Sequence, residues 1–388
     1  KEVINGGYIE AMLLGAVGIG KSTGAQIITA YYVYLLSCEK WPQLRYGLMP
    51  TSTIYFAMLN RTDTLAEKVT YGEFRQMIER CPYFQENYPF NKDIKSELVF
   101  LKHNIRVIPA AAYAGKLLGM NVIGGIVDEI NFLQKIERSK QSQTGTEFDQ
   151  AKVIYNSLVR RRRSRFLEQG KLPGCLCIVS SKGGPDDFTE QRVREVEAEN
   201  DGLTAIWNKA QWEVVPLDRF SKERFFLEVG DERTNSRIIE KREDARPNAK
   251  VLEIPVDFKS DFQRDMDGSL RDYAGISTLS EKPFFYDREK IWMMAENFEK
   301  MGLMSPFDIK ETTLEHGLPE IRKDYVIPNP ERIRVAHIDL AINGDACGLS
   351  VGYVHSVHTV RSRGTSGNMI VEDLPVVAYD VVLRVSAP

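Results

Sequence analysis

No apolar run in the sequence approaches the roughly 20 residues a helix needs to cross a bilayer. The longest candidate, 27–36, is interrupted by three tyrosines and a threonine. The chain opens Lys1-Glu2-Val3-Ile4-Asn5, with neither a Met nor a signal-peptide pattern. It closes on Val385-Ser386-Ala387-Pro388 directly after a strand-like run, and both ends read as cut edges of something longer. Cysteine is sparse. The five residues (Cys38, Cys81, Cys175, Cys177, Cys347) are odd in number and scattered, which excludes a disulfide scaffold and suits reduced thiols in a cytosolic compartment. An excess of charge is also missing: 51 Lys and Arg face 54 Asp and Glu, a net −3. A chain this close to neutral can meet nucleic acid only through local patches. There is no internal repeat and no low-complexity tract. What is present, 388 residues with 43% hydrophobic and 27% charged, is enough for two or three globular domains.

Up to about residue 203 the pattern alternates. Short runs that are apolar throughout (11–14, 53–58, 105–108, 122–127 and 175–179) are separated by helical stretches such as 21–36 and 64–81. Uniformly apolar strands suit a sheet buried on both faces, and their alternation with helices predicts an α/β domain with a mostly parallel sheet. From 204 to 330 charged and aromatic residues interleave, helical stretches shorten, and the segment ends in a linker, 316–330, carrying Pro319, Pro328 and Pro330. After it come strand signals at 334–340, 349–354 and 376–385. The expected division is 1–203, 204–330 and 331–388.

The sharpest motif is Gly15-Ala16-Val17-Gly18-Ile19-Gly20-Lys21-Ser22, which satisfies G-x-x-x-x-G-K-[ST] and is followed by Thr23. Gly15, Gly18 and Gly20 let backbone N–H groups turn around phosphates, Lys21 would reach the outer phosphates, and the Ser22 hydroxyl would ligate Mg²⁺. The motif follows an apolar strand and opens a helix, the context it requires. The run 122–127 then delivers Asp128 and Glu129. Asp128 would hold Mg²⁺ through water, and Glu129 would orient and activate an attacking water. Gly124 and Gly125 weaken that strand as a sequence signal. Two further pieces fit the same machine. Ser180 and Ser181, at a strand end, could sense a γ-phosphate and relay its loss. Arg160, Arg161, Arg162 and Arg163, with Arg165 close by, could supply an arginine to a neighbour's active site or touch DNA phosphates, although a solvated helix face accounts for most such clusters.

Near the end, Val335, His337 and Asp339 share one face of a strand by the two-residue period, and Asp345 opens the next strand. A carboxylate on a central strand with another beside it is how a two-metal nuclease site begins. Asp339 would be the metal ligand there and Asp345 a helper. His337 reads as a packed histidine, and spacing alone fits a β-meander with one stranded acid equally well.

Taken together, these residues resemble the large subunit of tailed-bacteriophage terminases, with a P-loop ATPase followed by an RNase H-like nuclease. The resemblance rests on 15–23, on Gly115-Lys116-Leu117-Leu118-Gly119 leading to Asp128-Glu129, on Ser180-Ser181-Lys182, on Leu270-Arg271-Asp272-Tyr273-Ala274-Gly275, and on Asp339 with Asp345. It implies ATP and Mg²⁺ as cofactors (Mn²⁺ alternatively at the nuclease), Glu129 as catalytic carboxylate, Ser180 and Ser181 as coupling residues, and Asp339 as the first nuclease ligand. The implied partners are double-stranded DNA, a portal protein, a small terminase subunit and further copies of the chain in a ring. The implied place is the host cytoplasm, transiently docked on the procapsid portal, with no membrane. The P-loop stretch Ala16-Val17-Gly18-Ile19 lacks the arginine many terminases carry there, so that charge must come from elsewhere. The nuclease domain would be incomplete, with later acidic ligands beyond Pro388. The alternatives are a helicase-like, nucleic-acid-stimulated ATPase without nuclease activity, and a nucleotide-binding assembly protein that uses ATP only to lock a ring.

Overall fold

The computed structural model describes residues 2–117, 119–133, 135–137, 147–168, 171–185, 187–200, 202–231, 233–278, 288–300, 311–313, 325–327, 329–339, 347–363 and 369–386. The chain divides into two compact units, one of Lys1–Lys135 with Asp149–Tyr286 and one of Ile136–Phe148 with Asp287–Pro388. Among the described residues no helix is long and apolar enough to cross a membrane.

The first unit is built on a seven-stranded sheet. Its strands are β1 (Glu10–Gly15), β2 (Ile54–Asn60), β3 (Leu98–Phe100), β4 (Ile105–Ala111), β5 (Asn121–Asp128), β6 (Leu176–Val179) and β7 (Thr204–Lys209). The order across the sheet is β3-β4-β2-β5-β6-β1-β7, parallel throughout except for the β3–β4 pair. The alternation of the strands explains the two cores. Ala11 and Leu13 of β1 face a cluster with Phe56, Met58, Val179 and helix α1 (Lys21–Ser37), while Met12 and Leu14 face the other cluster with Leu59, Val127 and Ile178. That second face is covered by helix α2 (Gln150–Phe166), which presents Ala151, Ile154 and Leu158, with Phe188 of helix α3 (Phe188–Glu199) beside it. Both faces are therefore apolar, which is why the strands lack alternation in the sequence. The expected break after 203 falls at the start of β7, which pairs with β1 along its whole length.

Gly124 and Gly125 have a role beyond weakening a strand. A Cβ at Gly124 would lie 2.5 Å from the Cys175 carbonyl oxygen and one at Gly125 2.0 Å from that of Ala57, and Gly125 has φ 142°. Their backbones pack where no side chain fits, beside an irregularity at Tyr55/Phe56 that shifts the β2–β5 register by one residue. A bulge of this kind sets the face on which Asp128 emerges.

After the large sheet comes a three-stranded antiparallel sheet of β8 (Arg224–Glu228), β9 (Arg237–Ile239) and β10 (Val251–Pro255), ordered β9-β8-β10. Phe225, Leu227, Ile254, Phe262 and Leu270 form its core.

The second unit contains helix α4 (Arg288–Lys300) and a sheet of β11 (Glu311–Thr313), β12 (Arg334–Asp339), β13 (Cys347–Arg363) and β14 (Met369–Ser386), in the order β11-β14-β13-β12. The last two strands run far beyond the expected 349–354 and 376–385, as one hairpin paired from Cys347↔Val385 to Arg363↔Met369.

Candidate nucleotide site

Three strand ends of the first unit supply one site. β1 ends in the loop 15–20, β5 in Asp128 and Glu129, and β6, lying between them in the sheet, in Ser180. Gly15, Gly18 and Gly20 all sit at positive φ (109°, 75° and 81°). Gly18 and Gly20 alternate with Ile19, the pattern that turns successive N–H groups onto one concave face. Gly20 begins α1 without a side-chain cap, leaving the first-turn amides and the helix dipole for an anion.

The loop is fixed from beneath. The Ala16 N–H donates to the Lys209 carbonyl at 2.9 Å and the Val17 N–H to the Asp272 carbonyl at 2.8 Å. A Cβ on Gly15 would meet the Lys209 carbonyl oxygen at 2.4 Å, so only glycine permits this approach. The segment Asp272-Tyr273-Ala274-Gly275 thus forms a strap under the P-loop. It continues to Ser277, whose hydroxyl donates to Glu190 at 2.7 Å, and to Thr278, whose N–H donates to the Gly183 carbonyl at 3.1 Å. Lys182 is ion-paired with Glu190 there.

Lys21 is buried, and its Nζ donates to the carbonyls of Gly15 (3.1 Å) and Ala16 (2.6 Å), folding the side chain over the loop. Burial lowers its pKa, opposed by the negative charges of Glu129, Asp128 and Asp272. The Ser22 hydroxyl donates to Asp128 Oδ2 at 3.5 Å, and the Thr70 hydroxyl to the same oxygen at 3.3 Å. Thr70 lies in a π-helical turn, Ala66–Tyr71, which replaces the start of the expected helix 64–81. That turn is held by Asn60 Nδ2 on the Thr70 hydroxyl (3.1 Å) and Gln26 Nε2 on the Thr70 carbonyl (3.3 Å). None of Thr70, Asn60 or Gln26 stands in a motif; the one signal that could mark any of them is the place of Asn60 at the end of β2.

Asp128 and Glu129 both titrate above the ordinary carboxylate range because burial penalises their charged forms. Hydrogen bonds from Thr70 and Ser22 pull Asp128 back, and repulsion from Asp128 pushes Glu129 further up. Asp128 Oδ1 and Glu129 Oε2 are buried without a hydrogen-bond partner. Glu129 also occupies the left-handed region, φ 55° and ψ 41°, a conformation that costs a non-glycine residue about 1 kcal/mol or more and recurs at functional sites. A carboxylate with one unpaired oxygen and a serine hydroxyl on the other belongs to the oxygen donors a hard cation takes. Asp128 and Ser22 would hold Mg²⁺ with substrate phosphates and water completing its shell. Such an ion would neutralise charge on the β- and γ-phosphate oxygens.

Ser180 and Ser181 stand beside the acids. Ser180 is fully buried and its hydroxyl accepts the Asn131 N–H at 3.3 Å. The arginine cluster behaves differently from its sequence reading. Arg162 is 2% exposed, and its guanidinium donates to the carbonyls of Ile123, Ile9, Pro173 and Gly174 at 2.9–3.1 Å. Those carbonyls precede or begin β5, β1 and β6, the sheet edge away from the phosphate loop. Arg162 is therefore committed within its own subunit and is not available to a neighbour, whereas Arg160 and Arg163 are exposed and Arg161 Nε donates to Ser157 Oγ at 3.3 Å.

In the second unit Asp339 is the last residue of β12, paired with Gly348, and Asp345 lies outside the described residues. Asp380 sits at a register shift of β14 and accepts from Arg334 Nε at 2.6 Å, with Arg334 stacked 5.0 Å from the Tyr353 ring. Among the described residues no three His, Cys, Asp or Glu groups gather in metal-binding geometry.

A family model for the N-terminal P-loop domain of the uncharacterized protein MJ0330 matches residues 3–238, more than half of the chain. No curated protein sequence matches. Among solved structures, the large terminase of bacteriophage HK97 is similar at TM-score 0.41 and 14% identity, over 96% of this chain and 60% of that one. The large terminase of a thermophilic bacteriophage is similar at TM-score 0.41 and 11% identity, over 90% and 61%. The ATPase domain of the Thermus phage P74-26 large terminase gives TM-score 0.33 and 15% identity, over 54% and 78%. The chain thus spans about three fifths of the length of the first two of these proteins. With a phosphate loop between parallel strands and a match across 3–238, the chain belongs to the family of the MJ0330 N-terminal P-loop domain.

Proposed function

We propose that the protein is the ATP-hydrolysing subunit of a terminase-type motor that moves double-stranded DNA into a viral procapsid. The observation that supports its ATP-hydrolysing part is the convergence of Lys21, the Ser22–Asp128 contact and the unpaired oxygens of Asp128 and Glu129 at strand ends of one sheet. In the reaction the loop amides and Lys21 bind the phosphates of ATP, and Asp128 with Ser22 would hold Mg²⁺, which would supply positive charge to the phosphate oxygens. Glu129 accepts a proton from the water that attacks the γ-phosphorus, and the γ-phosphoryl group transfers to that water as ADP departs. Loss of the γ-phosphate would shift the Ser180–Ser181 strand end, and the strap at 272–278, tied to both the P-loop and Gly183, would carry that shift onward.

The same proposal gives residues 331–388 to the N-terminal part of a metal-dependent, RNase H-like endonuclease, with Asp339 as first ligand, Asp345 as helper and Mg²⁺ or Mn²⁺ as metal. It gives 1–203 to the ATPase and 204–330 to a linking subdomain. Portal protein, small subunit, a ring of copies on the portal and a host-cytoplasmic site belong to this reading, with Arg160, Arg161 or Arg163 reaching the neighbouring subunit. A helicase-like ATPase without nuclease activity is the second reading, favoured by the pairing of Asp380 with Arg334.

ATP turnover with and without double-stranded DNA tests the first part. The wild-type chain should hydrolyse ATP, and Glu129→Gln should bind it with turnover reduced about a hundredfold or more. Wild-type protein that binds ATP without turnover would leave the ring-locking role instead. Plasmid cleavage by the full-length protein tests the second, since cleavage unaffected by Asp339→Ala removes the nuclease assignment.

A further inference from the structure

Two residues beyond Glu129, in the 3-10 turn Ile130–Phe132, stands a side chain that no motif singles out. The side-chain amide of Asn131 is engaged at both ends. Its Oδ1 accepts the Thr189 N–H at 3.1 Å, while its Nδ2 donates to the Ser181 carbonyl at 3.0 Å and to Thr189 Oγ1 at 2.9 Å. The Asn131 backbone N–H donates to Ser180 Oγ at 3.3 Å. Thr189, in the first turn of α3, and Ser180 are both fully buried. One asparagine therefore joins three elements: the acidic tip of β5, the end of β6 and the start of α3.

Its position gives this junction a consequence for chemistry. Glu129 adopts its left-handed backbone at the entry to the turn, which closes through the Phe132 N–H on the Glu129 carbonyl at 3.0 Å. Such a conformation persists only where the surroundings over-determine it. The side-chain amide anchors the turn within two residues of the strained position, so the place of the Glu129 carboxylate depends on the Ser180–Ser181 strand end.

We infer that Asn131 is the positioning residue for Glu129, locking it to the coupling strand so that carboxylate and strand end move as one body. The inference rests on the reading of Glu129 as the base of ATP hydrolysis. The amide is required, since a carboxylate at 131 could accept from Thr189 N–H but would set an oxygen against the Ser181 carbonyl.

The test compares Asn131→Asp, which preserves shape, Thr189→Val, which removes one partner, and Glu129→Gln. Each is measured for kcat with MgATP, for affinity with a fluorescent ATP analogue, and for melting temperature. Asn131→Asp is expected to lower kcat about a hundredfold, as a misplacement of roughly 1 Å does, and to leave affinity within about threefold. Thr189→Val should lower kcat less, again without an affinity change. Wild-type kcat in Asn131→Asp, or kcat and affinity falling in parallel in both Asn131→Asp and Thr189→Val, overturns the inference. The parallel variant separates the two ideas. If Glu129→Gln retains full turnover the base assignment is wrong, whereas if it abolishes turnover and Asn131→Asp does not slow the enzyme, only the role of Asn131 is wrong.

Discussion

Replacing Gly275 by alanine should damage the phosphate loop from behind. Gly275 has φ +64°, and a Cβ there would lie 2.6 Å from Gly15 Cα and 2.9 Å from both Ala16 N and Gly15 C, all backbone atoms of the P-loop. Two costs follow. Holding alanine in the left-handed region costs about 1–2 kcal/mol, and forcing a methyl group into a filled contact costs about 1–3 kcal/mol. Gly47 provides the matched control, with φ +65° and nothing within 4 Å of its would-be Cβ. Gly47→Ala should therefore lose about 1–2 kcal/mol and Gly275→Ala about 2–5 kcal/mol. The strap can escape by withdrawing, but that breaks the Val17–Asp272 hydrogen bond. Urea titration reads the stability difference, and a fluorescent ATP analogue reads the loop. Affinity should fall for Gly275→Ala alone. Equal destabilisation by the two substitutions, with unchanged affinity in both, would show that the strap does not support the nucleotide loop.

Other outcomes follow from the same geometry. Because burial raises the folded-state pKa of Asp128 and Glu129, their contribution to stability is complete below the ordinary carboxylate range and is lost as pH rises through the raised values. Nucleotide-free Asp128→Asn should thus melt above wild type at neutral pH and lose that advantage in acid, as thermal scans across pH would register. Arg162→Met should cost about 3–5 kcal/mol, because the buried carbonyls of Ile123 and Gly174 lose the donor that Arg162 supplies, while Arg160→Ala and Arg163→Ala stay within about 0.5 kcal/mol of wild type in chemical denaturation. Lys21→Ala should abolish binding of the fluorescent nucleotide without unfolding the protein, since it removes the charge poised over the loop.

Much of the first unit was legible because its information is local. The loop 15–22 is contiguous and its flanking strand and helix declare themselves through apolar runs. The rest of the site is assembled by topology: Asn131 and Thr189 are 58 residues apart, as are Thr70 and Asp128, and nothing in either neighbourhood announces the partner. Arg162 could have been distinguished from its neighbours. Ala151, Ile154, Leu158, Arg162 and Phe166 recur at three and four residues, so the helical period already turns that arginine towards the sheet. The hairpin of β13 and β14 was underestimated because both faces mix Val with His, Ser, Arg and Glu, so the alternation that marks a half-buried strand is absent.

The enclosed guanidinium of Arg162 also constrains how this molecule can work. It staples the entry points of three adjacent central strands through Ile9, Ile123 and Pro173-Gly174. With their bases pinned to one planar ion, these strands can fan apart only at their opposite tips, where the triphosphate would sit. On the proposed reading, the sheet would then act as a set of levers on a common pivot, and an opening at the nucleotide would travel outward through the tips.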